Sequence, residues 1–334
     1  MAHELLDRGA NPNAQGRHST ALTAACGWGK AGQLELIKRL VSMGTDLNAF
    51  SQKRLEYTEF SANAVLLNPL GAAAYAGKDH IVRLLLELGA DINAQGGTYG
   101  NALQVAVMNK SNVVAKLLVD EGADVNAVRG GYCTALQAAA FQYSDALFNM
   151  LLEGADVNIE RGYRGSPLQA SSSTGVMRHV QLFLTRGAKV NMSVGKYGSP
   201  LQVAVKRGYL EIARLLLEND ADVNLPGGKY GFPLQAAACS TTVDRIRSNG
   251  GSKTLELLLE KGANVNAQGG KYATALQAAA YHNRKFVEIL LQHGADPNAS
   301  GGKFGSPLKA ARKKGLSRAV NALLQNGAKD EICE

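Results

Sequence analysis

A short phrase, Gly-Ala-Asx-Val-Asn, returns along the chain roughly every 33 residues, and no other feature restricts its fold so strongly. Its glycines are Gly9, Gly44, Gly89, Gly122, Gly154, Gly187, Gly262, Gly294 and Gly327, and Asp220 stands in the glycine's place in one further copy. Successive spacings are 35, 45, 33, 32, 33, 33, 42, 32 and 33 residues. A second phrase, Leu-Gln-x-Ala, keeps step with it at Leu103, Leu136, Leu168, Leu201, Leu234 and Leu276, with degenerate copies at Leu22, Leu70 and Leu308. A length of 334 residues would by itself suggest two domains. The period predicts instead one quasi-linear array over 1–334: a half repeat at 1–13, then nine repeats beginning near 20, 68, 101, 134, 166, 199, 232, 274 and 306.

Each unit has a physical reading. After Leu-Gln comes a small-residue stretch such as Ala138-Ala139-Ala140, which favours helix and lets neighbouring helices approach closely. Pro167, Pro200, Pro233 and Pro307 precede the leucine, in a first helical turn where a missing N–H costs little. A second helix carries a leucine stripe, as in Leu215-Leu216-Leu217, and the following glycine suits the left-handed conformation that ends a helix. Gly-Gly-Lys-Tyr-Gly then reads as a hairpin-like turn. One such unit cannot bury its own apolar faces, whereas stacked copies can. The fold class expected is mostly α, a solenoid of stacked helix-turn-helix units joined by β-hairpin-like loops. Nine layers of helices, each about 10 Å across, would make a body on the order of 90 Å long.

These residues resemble the ankyrin repeat. Ser199-Pro200-Leu201-Gln202-Val203-Ala204 is similar to the family's Thr-Pro-Leu-His opening, and Gly122-Ala123-Asp124-Val125-Asn126-Ala127 to its close. One departure is systematic: the histidine after the leucine is replaced by Gln104, Gln137, Gln169, Gln202, Gln235 and Gln277. Glutamine keeps a donor and an acceptor, so it is expected still to tie the turn together. The Leu-Gln-Ala-Ala form with Gly-Gly-Lys-Tyr-Gly turns looks like the long ankyrin arrays of filamentous fungi, which often lie downstream of NACHT-type nucleotide-triphosphatase modules. The resemblance implies a protein-interaction scaffold that binds on a concave face.

Positions shared by all copies serve stacking, and positions that vary are candidates for recognition. Four residues before each leucine, at the hairpin tip, stand Tyr99, Tyr132, Tyr197, Tyr230, Tyr272 and Phe304, accompanied by Lys229, Lys271 and Lys303. They make either an aromatic and basic ridge for acidic peptide or bases, or rings packed on the adjacent turn beneath solvated lysines. Five and six residues after each leucine, where the resemblance places the end of the inner helix, the copies diverge: Tyr75, Met108, Phe141, Lys206, Arg207, Tyr281, His282, Lys313 and Lys314. That composition suits interface anchors. Two insertions, 49–68 and 240–252, interrupt the period and offer either binding loops or tolerated surface.

Composition narrows the function further. No apolar run reaches 18 residues, the charged start from Met1 to Arg8 has no apolar core of a secretory signal, and Cys26, Cys133, Cys239 and Cys333 form no Cys-x-x-Cys pair. An intracellular protein is expected, with the cytoplasm ahead of the nucleus. None of the six histidines has metal-ligand spacing, and the glycine-rich turns lack the Gly-Lys-Ser/Thr ending of a phosphate loop. No catalytic residue, metal or cofactor is assigned. The net charge of +8 is uneven, since 301–334 holds seven basic and three acidic residues. An acidic protein partner is therefore one expectation, for a chain expected to be monomeric. The alternatives are a polyanion or nucleic acid on the tyrosine ridge, or a role as the recognition piece of a larger NACHT-type receptor. The half repeat at the start suggests a fragment of a longer array.

Overall fold

A computed structural model describes residues 2–16, 20–28, 33–49, 67–95, 99–128, 130, 134–142, 144–160, 165–240 and 250–330. These residues hold nineteen helices and, in place of extended strands, isolated antiparallel bridges such as Gly227 with Gly231 and Gly269 with Ala273. The chain divides into two compact units, Met1–Asp156 and Val157–Glu334. Most of the insertion expected at 49–68, and 241–249 of the second, lie outside the described residues, as does the tip residue Tyr132.

In the first unit, the helices Ala21–Trp28, Pro69–Tyr75, Ala102–Met108 and Ala135–Gln142 pack each on the next. Each also packs on the second helix of its own repeat: Gln33–Ser42, Asp79–Glu87, Asn112–Asp120 and Asp145–Leu152. In the second unit, the first helices are Pro167–Ser172, Pro200–Arg207, Pro233–Ala238, Ala275–His282 and Pro307–Lys314. Its second helices are Met177–Thr185, Leu210–Glu218, Gly250–Glu260, Arg284–Gln292 and Ser317–Gln325. Both series stack in chain order.

The core follows from the sequence pattern. Alanines such as Ala139 and Ala279 are fully buried, as small residues must be where backbones come close. Leu85, Leu118, Leu151, Leu216, Leu258 and Leu290 of the second helices are fully buried too. The helix-ending glycines adopt positive φ, and Asp220 does so in the glycine's place, at φ 63°. Gly154 departs from this pattern: its φ is not positive, and Glu153 before it is still helical at φ −63° and ψ −38°.

Two side chains tie neighbouring repeats together within the units. The first is the glutamine. Gln202 Oε1 accepts the Ser199 backbone N–H at 2.6 Å, closing its own helix start, while Nε2 donates to the carbonyls of Gly227 (3.1 Å) and Gly231 (2.8 Å) in the following turn. Gln235 bonds in the same way to Ala267 (3.0 Å) and Ala273 (2.5 Å), and Gln277 to Gly301 (2.8 Å). The second is the terminal asparagine of each phrase. Asn266 Nδ2 donates to the Gly294 carbonyl at 3.0 Å, and its Oδ1 accepts the Asp296 N–H at 2.8 Å. The same pair of bonds recurs at Asn126, Asn191, Asn224 and Asn298.

Candidate partner-binding surface

The hairpin tips of the second unit are joined directly through their backbones. The Lys229 N–H donates to the Lys196 carbonyl, Lys271 to Lys229, and Lys303 to Lys271, each at 3.0 Å. Such close approach needs glycine beside it. Gly270 sits at φ +62°, and a Cβ there would lie 2.3 Å from the Tyr230 carbonyl group. The ladder sets one lysine per repeat in a row, and all four lysines are exposed.

Beneath the row the rings lie against the protein rather than standing out from it. Tyr230, Tyr272 and Phe304 are buried, and Tyr99 and Tyr197 are half-buried. Of the two arrangements open to the tip residues, the packed one is what Tyr230, Tyr272 and Phe304 adopt. Tyr272 and Tyr281 stack on Phe304 with ring centroids at 5.9 and 4.5 Å, and His282 meets both tyrosines edge-on at 5.4 and 5.1 Å. The His282 Nε2 lies 3.0 Å from the Tyr272 hydroxyl. The lysines cover the rings in turn: Lys229 stands 4.7 Å from the Tyr230 centroid and 5.2 Å from Tyr197, Lys271 5.3 Å from Tyr272, and Lys303 5.3 Å from Phe304. A contact of this kind contributes about 0.5–1 kcal/mol at an exposed site, so the rings help fix where the ammonium groups stand.

The first-helix ends meet this row. Lys206 is half-buried, donates to the Cys239 carbonyl at 2.7 Å and lies 5.7 Å from the Tyr230 ring centroid. Burial holds its ammonium pKa below the usual value, and Lys229 and Arg207 push the same way. Lys313 lies 5.8 Å from the Phe304 centroid and Lys314 5.3 Å from that of Tyr281. Burial, reinforced by Lys206, Lys271 and Lys314, lowers the His282 pKa to about 4, so its imidazole is neutral at pH 7. Burial likewise raises the Tyr230 and Tyr272 hydroxyls to about 12. Cys239 and Cys26 are buried thiols, each also pushed up to about 12 by burial. They are inert side chains of the core rather than reactive groups.

In the first unit the corresponding ends carry no such charge. Tyr75 is 42% exposed and accepts a hydrogen bond from Asn109 Nδ2 at its carbonyl. Met108 and Phe141 are half-buried at the ends of their helices. The sequence pointed to these positions by their variability. It did not reveal the Lys206–Cys239 contact, whose acceptor is a carbonyl 33 residues away, nor the backbone ladder between tips, whose donors and acceptors are main-chain groups of different repeats.

Among the described residues no group of three His, Cys, Asp or Glu could hold a metal ion, and no helix is long and apolar enough to cross a membrane.

The helix pairs, the left-handed glycines and the bonded hairpin tips define a stack of ankyrin-type repeats. The family model described as "Ankyrin repeats (3 copies)" matches residues 59–129, 135–226 and 234–332. The chain belongs to the ankyrin repeat family, whose repeats are protein-interaction modules. Among solved structures it is similar to the crystal structure of the ankyrin repeat domain of Bcl-3, a unique member of the IkappaB protein family. That likeness has a TM-score of 0.53 and 26% sequence identity, and covers 74% of this chain and 100% of that one. No curated protein matches the chain.

Proposed function

We propose that this chain is a non-catalytic scaffold that binds another protein on the face formed, within each unit, by hairpin tips and first-helix ends. The observation that carries this reading is a contrast inside the first helices. Their bodies are closed by buried alanines, but large side chains reach the surface at their ends: Tyr75 in the first unit and Lys313 and Lys314 in the second are exposed, and Tyr281 is half-buried against Phe304. Exposed or half-exposed aromatic and basic side chains on a rigid frame are the composition of interface anchors. A preformed surface also loses little conformational freedom on binding, which leaves more of the contact free energy as affinity.

The test is a pull-down with the intact chain and with a variant carrying Tyr75→Ala, Phe141→Ala and Tyr281→Ala, followed by a binding isotherm with each protein recovered. A partner held by this face binds the variant at least about tenfold more weakly. Equal affinity for both proteins would place the binding surface elsewhere.

A further inference from the structure

We propose that the row of tip lysines in the second unit, Lys196, Lys229, Lys271 and Lys303, together with Lys206, binds an extended, carboxylate-rich segment of a partner protein. The inference rests on the scaffold reading and names the chemistry of its partner.

Three observations carry it. First, the cations are unneutralised. Elsewhere in the second unit some basic side chains find carboxylates, as in Lys189–Glu160, Arg214–Glu211 and Arg312–Asp330. Among the described residues, none of the five proposed lysines forms an ion pair, nor do Arg207, Lys313 or Lys314 beside them. Second, the tip lysines stand side by side. The tip backbones are bonded in series at 3.0 Å, and the ring faces below draw the ammonium groups of Lys229, Lys271 and Lys303 toward them. A fixed row of like charges is self-repulsive, and an arriving row of carboxylates relieves that cost. Third, Lys206 is half-buried with a single neutral acceptor, the Cys239 carbonyl. A charge partly removed from water gains more from an incoming carboxylate than an exposed one does.

The same geometry disfavours nucleic acid. Binding single strands needs free ring faces on which bases can stack. Here Tyr281 and Phe304 cover one another at 4.5 Å, and Tyr230, Tyr272 and Phe304 are buried beneath their own lysines. What faces outward is a line of ammonium groups, one per repeat, which suits an extended chain bearing carboxylates along its length.

The experiment measures fluorescence anisotropy of the full chain with three labelled probes: a peptide of about twelve residues alternating Glu and Ala, its Gln-for-Glu counterpart, and an oligo-dT of about twelve nucleotides, at about 50 and about 200 mM salt. The Glu peptide binds at low salt, at least about tenfold more tightly than either other probe, and weakens as salt rises. Lys229→Gln with Lys271→Gln lowers its affinity roughly fivefold to tenfold. Should that pair disturb folding by circular dichroism, Lys196→Gln with Lys303→Gln gives the same comparison at exposed ends of the row. No binding of the Glu peptide at low salt, equal binding of the Gln peptide, tighter binding of oligo-dT, or indifference to the lysine substitutions in a folded variant would each overturn the proposal. If a protein partner is lost with the Tyr75, Phe141 and Tyr281 substitutions but indifferent to the lysine ones, the scaffold reading stands and this one falls.

Discussion

His282 shows how a repeat position that merely varies can acquire a chemical consequence. Its half-buried ring meets Tyr272 and Tyr281 edge-on, and burial, with the charges of Lys206, Lys271 and Lys314, drops its pKa from the ordinary 6.5 to about 4. The folded state therefore binds fewer protons than the unfolded chain between these two values, and stability rises with pH across that window. The contribution is fully present above pH 6.5, declines as the pH drops, and is gone below about pH 4. Urea unfolding at about pH 7 and about pH 4.5 checks this against His282→Gln, which has no proton to take up in that range. The intact chain should lose more stability on acidification than the variant does. Parallel losses would mean that His282 is protonated in the fold as readily as in the unfolded chain. At Asp220 the residue scale shows the reverse case, a side chain overruled by its setting. The helix must end there, so the aspartate takes φ 63°, where its sister copies use glycine.

At the scale of the element, the glutamine that replaces the family's histidine does two jobs. It closes the start of its own first helix and holds the next hairpin by one or two carbonyls. Gln202→Leu keeps the apolar stem but leaves the Ser199 N–H and the Gly227 and Gly231 carbonyls without that partner. Losing such buried bonds costs about 2–4 kcal/mol, whereas Lys229→Gln on the exposed tip stays within about 0.5 kcal/mol. Equal unfolding midpoints for the two variants would show that the hairpin is held by other means. The first of the glutamine's jobs was legible in the sequence, because the capping partner is three residues away at a fixed offset. The second was not, since its acceptors are backbone carbonyls 25 and 29 residues further on, which leave no side-chain signature. The helix pairs were legible for a related reason. Leucine stripes, first-turn prolines and terminal glycines each act within one turn of chain. The fate of the tip aromatics was not, because a tyrosine before a glycine is compatible with display or with packing. The bonded ladder between tips decides it for Tyr230 and Tyr272, by bringing each hairpin down onto the next.

For the molecule as a whole, repetition separates frame from message. The glutamine and asparagine bonds recur from copy to copy and make the frame. The first-helix ends differ from copy to copy, apolar at Tyr75, Met108 and Phe141 in the first unit and basic at Lys206, Arg207, Lys313 and Lys314 in the second. The central claim is that these ends, and not the second helices, carry the binding. The most direct measurement is the affinity of a purified partner for three proteins: the intact chain, the Tyr75→Ala, Phe141→Ala and Tyr281→Ala variant, and a control with Lys116→Ala, Arg214→Ala and Glu288→Ala on exposed second-helix faces. The account predicts a loss of at least about tenfold for the first variant and no change for the control, with both folded. Loss in the control alone would contradict it and assign binding to the opposite helices.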